Sequence, residues 1–471
     1  HHTEWFQQAT GTREPVFPSV SEVAAAPFKR RIIEALDGYP ELASKLEQFL
    51  SKLKDCQPPT ISRAAIPALG GVRNANTESA KSLRDFDGEW LFPETYERVD
   101  LTEELGNRLD HRRLQGIKES LEELLKYCRK IGLGKPSKYY AVLLMDGDNM
   151  GKWLSGEHEK LATLGDMLHP HTRGELATKP EWRDILGEHR LLTPAVHGAI
   201  SEALAKFALK LVPYVIEERH FGRVVYAGGD DVLALLPLEE ALPAACELRA
   251  LFSGEITIEA RGNEWQDWDL RKRHWEPAFG AEHSTGYLVY GGEVLLTMGP
   301  AATASIGMAI AHHLQTLDSV LEAARRAEKS AKEKYGRNAL CICLMKRSGE
   351  ELIVGTKWPD KTAQEPDPVQ TVIQLALALK EETLSMKFPY ALAEIAPTLG
   401  ALEQKAQRAV LAKLADRHRT NGTAVPKTAE LAEGLMRLAN LSSPTSGEKT
   451  SLEQATDWAL LARFLAQGGE R

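Results

Sequence analysis

The chain has 471 residues, of which 43% are apolar and 26% charged, and its formal net charge is −8. That balance suits a globular protein with substantial cores, about three domains at roughly 150 residues each, and excludes a generally basic nucleic-acid coat, though not a local basic groove. No apolar run approaches the ~18 residues of a membrane helix and no signal-peptide pattern opens the sequence, so a cytoplasmic location without a membrane partner is expected.

In chain order, Ile32, Ile33 and Leu36, then Leu42, Leu46, Phe49, Leu50 and Leu53, keep helical spacing and predict helix over 19–56. A loop-rich stretch over 57–93 follows, holding Pro58-Pro59 and Gly70-Gly71. Leu114, Ile117, Leu121, Leu124, Leu125 and Cys128 make the apolar stripe of a helix over about 101–131, and 132–138 reads as a boundary. Tyr140-Ala141-Val142-Leu143-Leu144 predicts a strand ending at Met145. Thr193-Pro194 caps helices over 193–218. Val224-Val225-Tyr226 and Val232 to Leu236 predict a hairpin around Gly228-Gly229-Asp230-Asp231, with both glycines supplying positive φ. Helix is expected over 238–252, a polar and aromatic segment over 254–290, and a buried strand from Ala304 to Ile310. The next helix starts near Thr316 or Ser319, with Ser319 and Glu322 spaced as a capping box, and ends at Gly336. Arg337-Asn338 leads into a last strand through Cys341 and Cys343. Beyond Gly355 four helices are expected, over 368–384, 397–417, 428–439 and 451–467.

This order predicts an α+β fold: a ferredoxin-like palm of the nucleotidyl cyclase kind, with helices on one face of an antiparallel sheet. The expected units are an N-terminal helical domain (1–136), the palm (137–355) and a C-terminal helical bundle (356–471). The five cysteines include no CxxC pair, so no zinc site is expected, and Cys341 and Cys343 read as core residues on one strand face.

Two acidic turns carry the chemistry. Met145-Asp146-Gly147-Asp148-Asn149-Met150-Gly151-Lys152 ends one strand, and Asp230-Asp231 tips the hairpin. Carboxylates converging from two strand ends repel unless neutralised, and they offer hard oxygen ligands to Mg²⁺ or Mn²⁺. Asp146, Asp230 and Asp231, with Gly147 beside them, are the expected metal and catalytic site, suited to nucleotidyl transfer. Asp148, Asn149, Gly151 and Lys152 open a helix whose amides could cradle phosphate, and Gly228 and Gly229 shape the facing turn. Lys332 and Arg337 read as a triphosphate clamp or as solvated helix charge. His197 and His312-His313 read as structural. Trp265, Trp268 and Trp275, interleaved with Arg271, Lys272 and Arg273, suit single-stranded nucleic acid, partner docking or self-packing.

The segments 139–152, Ser155-Gly156-Glu157, Leu168-His169-Pro170, 193–197, 226–234 and 345–349 resemble, in order, the large polymerase-like subunit of type III-B (Cmr-type) CRISPR effector complexes. Phe17-Pro18-Ser19-Val20-Ser21 and Ala26-Pro27-Phe28-Lys29 are similar to the entry of that family's helical domain. Ser305-Ile306-Gly307, 327–332 and Gly336-Arg337-Asn338 also resemble diguanylate cyclase signatures, although Asp230-Asp231-Val232 stands where that family has an acid, Glu and Phe after its glycines. The resemblance implies ATP as substrate, cyclic oligoadenylate as product when target RNA binds, and crRNA, a Cas5-like subunit and small helical subunits as partners. A catalytically silent scaffold of the same complex and a free-standing diguanylate-cyclase-like enzyme are the alternatives. The family's HD nuclease region, additional degenerate palm and cysteine-bound zinc are not recognisable in the sequence; the fourteen histidines include no His-Asp pair, so no DNase activity is expected.

Overall fold

The computed structural model describes residues 17–56, 58, 60–61, 63, 65–97, 111–254, 276–277, 286–290, 293–359, 368–420, 428–442 and 451–469. The tryptophan and arginine cluster over 265–275 lies outside the described residues.

Among the described residues, four α-helices precede the sheet: α1 Val20–Ala35, α2 Pro40–Asp55, α3 Glu78–Asp85 and α4 His111–Lys130. The strands are β1 Tyr139–Gly147, β2 Arg223–Ala227, β3 Val232–Pro237, β4 Glu276–Pro277, β5 Tyr287–Tyr290, β6 Glu293–Leu296, β7 Ala304–His312, β8 Ala339–Met345 and β9 Glu351–Lys357. Between β1 and β2 lie α5 Met150–Ser155, α6 Pro170–Ala177, α7 Pro180–Gly187 and α8 Pro194–Lys206; α9 Ala241–Phe252 follows β3 and α10 Leu317–Glu333 joins β7 to β8. The chain continues through α11 Pro368–Lys380, α12 Phe388–Leu399, α13 Gln404–Arg417, α14 Thr428–Leu441 and α15 Ser451–Ala466.

The main sheet has the order β2-β3-β1-β7-β8-β9. β1 is central, antiparallel to β3 with Met145 opposite Val232 and to β7 with Asp146 opposite Ser305. The sheet is mixed rather than antiparallel, because β7 and β8 run parallel. The crossover helix α10 makes that pairing possible, since parallel neighbours cannot be joined by a tight turn. The strand through Cys341 is not the last: β9 returns against β8 and runs across the expected boundary at 355/356.

Helices cover both faces of the sheet, not one. Tyr140 and Val142 face a core with Ile32, Leu121, Ala324 and both Cys341 and Cys343. Ala141, Leu143 and Met145 face the other core, with Leu248, Val369 and Trp458. A strand with a period of two can feed two cores only when both sets are apolar, as β1 is. On the C-terminal side, Trp458 is fully buried and its indole N–H donates to the Gly355 carbonyl (3.3 Å) and the Ser442 hydroxyl (3.0 Å).

Other expectations are adjusted locally. α3, α6 and α7 were not expected, and nor was the small β4-β5-β6 sheet. α10 starts after Thr316 without a capping box: the Ser319 hydroxyl donates to the Thr316 carbonyl at 2.8 Å. Among the described residues the C-terminal helices number five, because Pro397 lies inside α12 and a separate helix begins at Gln404.

Candidate metal and nucleotide site

β1 continues two residues past Met145, so Asp146 and Gly147 are still paired with Ser305 and Ala304 when the chain reaches the sheet edge. The β2–β3 turn arrives at the same edge because Met145 is opposite Val232. One carboxylate oxygen each from Asp146, Asp230 and Asp231 lies within 4.8 Å of the others. Gly147 makes that approach possible: a Cβ there would stand 2.8 Å from the Asp230 Cβ, 2.9 Å from Met150 Cγ and 3.1 Å from Phe252 Cζ. Of the paired glycines, Gly229 alone takes a positive φ (+109°), so the expectation of two left-handed residues is corrected; Gly228 instead lies under the Tyr226 ring.

The triad is electrostatically unbalanced. Asp231 is pushed up to about 7, first by its hydrogen bond with Asp146, then by burial and the charges of Asp146 and Asp230. Asp230 is raised by burial and then by Asp146. Lys332 partly offsets this repulsion: its ammonium is 2.5 Å from Asp146 and also pairs with Glu328. Burial opposes the charge on Lys332, but those two carboxylates outweigh it and hold its pKa above the ordinary lysine value. Three hard oxygen donors with too few positive charges fit a divalent cation. Carboxylate oxygens are hard donors, the kind of ligand a divalent cation takes.

Lys332 owes its position to Gly307. A Cβ on Gly307 would come within 2.1 Å of the Glu328 backbone nitrogen, so only glycine lets α10 sit this close to β7. Lys332 and Arg337 share an open hollow with Arg325, Glu328, Lys329, Glu333 and Gly336. Sequence reasoning missed Glu328 as a site residue; its place four residues before Lys332 on one helix face was the available signal.

The turn after β1 divides. Asp148 is 2% exposed, and its carboxylate accepts hydrogen bonds from the Thr303 and Ser305 hydroxyls (2.8 and 2.7 Å) and the Asn338 N–H (2.8 Å). It therefore turns away from the solvent-facing hollow in which a nucleotide was expected to meet it. Asn149 takes φ +56° at the start of α5 without a side-chain cap, and Gly151 and Lys152 are exposed beyond it. His197 is exposed on α8, so it is not a buried structural histidine. His312 ends β7 and His313 follows it, both as structural residues: they stack on each other (4.8 Å), and Phe92 stacks on His313 (4.3 Å).

A sheet of this form, with acidic residues at one edge, defines a palm domain with a nucleotidyltransferase-like fold. Residues 139–265 match the family model for the second palm domain of Cas10/Cmr2. The chain is 30% identical over 290 residues to the CRISPR system Cmr subunit Cmr2 of Pyrococcus furiosus, a match covering 61% of this chain and 27% of that protein. It is 46% identical over 77 residues to the Cmr2 subunit of Saccharolobus solfataricus, covering 16% of this chain and 7% of that one. Two solved structures, type III-B Cmr-beta in its apo state and bound to cognate target RNA, share the fold at a TM-score of 0.59. They are 15% and 16% identical, and the similarity spans 97% and 99% of this chain but 48% and 49% of theirs. The chain thus carries a palm domain of the Cas10/Cmr2 kind over 139–265 and is similar in sequence to part of the Cmr2 subunits. It spans about a quarter of its Pyrococcus relative and about half of the structural ones. Among the described residues no helix is long and apolar enough to cross a membrane.

Proposed function

We propose that this palm binds ATP with Mg²⁺ or Mn²⁺ and synthesises cyclic oligoadenylate as part of a cytoplasmic, RNA-guided type III-B complex. The observation that carries the reading is the Asp146, Asp230 and Asp231 triad, drawn within 4.8 Å at one sheet edge with Lys332 beside it. The three carboxylates, with the Gly147 carbonyl, would hold the cation, which supplies Lewis acidity toward triphosphate oxygens and an attacking hydroxyl. The reaction joins the 3′-oxygen of one ATP to the α-phosphorus of another, or of the same growing chain at closure, and releases pyrophosphate.

The protein's own groups serve binding and charge. Lys332 brings an ammonium to the triad, and Arg337 offers a planar fork of donors in the same hollow, suited to phosphate oxygens. Lys152, exposed on α5, is a further candidate for phosphate. Asn149 and Gly151 leave the start of α5 open, and Gly228 and Gly229 shape the facing turn. A free-standing diguanylate cyclase is disfavoured by Asp230-Asp231-Val232, which lacks the Glu-Phe of that signature. Partners of the proposed complex are crRNA, target RNA, a Cas5-like subunit and small helical subunits. The test incubates the assembled complex with each nucleoside triphosphate, Mg²⁺ or Mn²⁺ and cognate target RNA, and identifies products by mass spectrometry. Cyclic oligoadenylate from ATP is expected; no product from any nucleotide would leave the chain a silent scaffold.

A further inference from the structure

Three consecutive residues before β8 adopt left-handed backbone: Gly336 (φ +72°), Arg337 (+64°) and Asn338 (+47°). Glycine goes there freely and asparagine tolerates it, but in arginine the Cβ crowds the following carbonyl oxygen. Such strain persists only where the surroundings over-determine it, and it clusters at functional sites. The turn presents Arg337 to the hollow that contains Lys332.

The surroundings converge on one buried carboxylate. Asp148 accepts the Asn338 N–H at 2.8 Å, and its other two bonds come from Thr303 and Ser305. Ser305 is fully buried and stands opposite Asp146 in the sheet. The Asp148 amide in turn donates to the Thr303 carbonyl at 2.8 Å. The rest of the turn is held by the Arg337 N–H on the Ala331 carbonyl (3.2 Å) and the Trp358 N–H on the Asn338 carbonyl (2.8 Å). A buried carboxylate offers about four acceptor positions, and three are taken here. Charge-assisted bonds of this kind are among the strongest in proteins. Asp148 thus connects the strand end that carries Asp146 to the turn that carries Arg337.

We propose that Asp148 is a positioning residue: it touches neither metal nor nucleotide, and its carboxylate locks the 336–338 turn so that Arg337 meets the nucleotide phosphates beside the triad. The proposal rests on reading the site as one for a metal-bound nucleotide.

The test compares wild type, Asp148→Asn, Arg337→Ala and the double variant, each shown to be folded by circular dichroism. Hydrogen–deuterium exchange reads the amides of 333–340, and calorimetry reads affinity for Mn²⁺ alone and for Mg²⁺ with ATP. Asp148→Asn is expected to speed exchange at Asn338 about tenfold and weaken ATP binding about tenfold, while Mn²⁺ affinity stays within twofold. Arg337→Ala is expected to weaken ATP binding by a similar factor, and the double variant to be no weaker than Arg337→Ala alone. Additive losses, unchanged exchange, or a loss of Mn²⁺ affinity in Asp148→Asn would each overturn the proposal. Wild type that binds Mn²⁺ but no nucleotide would overturn the reading of the site, and the exchange arm would still decide whether Asp148 holds the turn. Should Asp148→Asn fail to fold, Thr303→Val removes one of the three donors and carries the same comparison.

Discussion

At the residue scale the site depends on a missing side chain as much as on three present ones. Gly147→Ala would place a methyl 2.8 Å from the Asp230 Cβ and force the hairpin tip outward. We expect Mn²⁺ affinity to fall at least tenfold by calorimetry with the palm still folded; unchanged affinity would show that the tip can shift at no cost. Asp231 makes a second prediction. Its carboxyl titrates at about 7 in the fold against the 3.8 of an ordinary aspartate, so between those values the folded state holds a proton that the unfolded state has lost. Stability from this group is therefore full below pH 3.8 and declines as pH rises through 7. Asp230→Asn/Asp231→Asn protein should melt higher than wild type at pH 8 when both are metal-free, yet make no nucleotide product when Mg²⁺ and ATP are supplied. A double variant that melts lower, or still turns over, would contradict the electrostatic account.

At the element scale, the end of β7 joins the N-terminal helices to the sheet. His312 and His313 are each pushed down to about 4, His312 by burial and then by Arg347 and Lys138, His313 by burial and then by His312. The Ser21 hydroxyl on α1 lies 2.9 Å from His313 Nδ1, and Glu94 and Lys138 pair nearby. Unfolded histidines titrate near 6.5, so as pH falls from about 6.5 toward 4 the unfolded chain gains protons that the folded chain refuses, and stability drops. The melting temperature should fall over that window, and His312→Phe should flatten the slope; an equal slope in both proteins would assign the loss elsewhere. Helix α10, β7 and the acidic turns were legible because their signals are local: Ala304 to Ile310 is an apolar run broken only by Ser305 and Gly307, and Asp146 and Asp230-Asp231 each follow one closely. Strand β9 was not, because Glu351 and Ile353 face solvent and dilute its pattern. The ties of Asp148 were illegible for another reason: Thr303, Ser305 and Asn338 lie 155 or more residues away, and no spacing rule reaches that far.

For the whole molecule, the two-sided sheet changes what the C-terminal helices mean. They were expected as a bundle separate from the palm, yet Val369 and Trp458 share one core with Leu143 and Met145. Fully burying one such side chain contributes roughly 1.5–3 kcal/mol, and α11 and α15 each bury several. A chain ending at residue 366 should therefore aggregate or melt far below the full chain, whatever its effect on partner subunits. A soluble, cooperatively folding truncation would restore the view of an independent module.

The central place of β1 also sets a schedule for synthesis. β1 leaves the ribosome as a nine-residue apolar strand, and its second neighbour, β7, is complete only at His312. At roughly 5–20 residues per second the strand waits on the order of ten seconds for that partner. The helices α1 to α4 are made first and can shelter Tyr140 and Val142 at once, whereas Ala141, Leu143 and Met145 stay open until α9 and then the C-terminal helices arrive. One side of the palm is thus born covered and the other born bare, and a nascent chain halted near residue 300 is the form in which this protein most needs a chaperone.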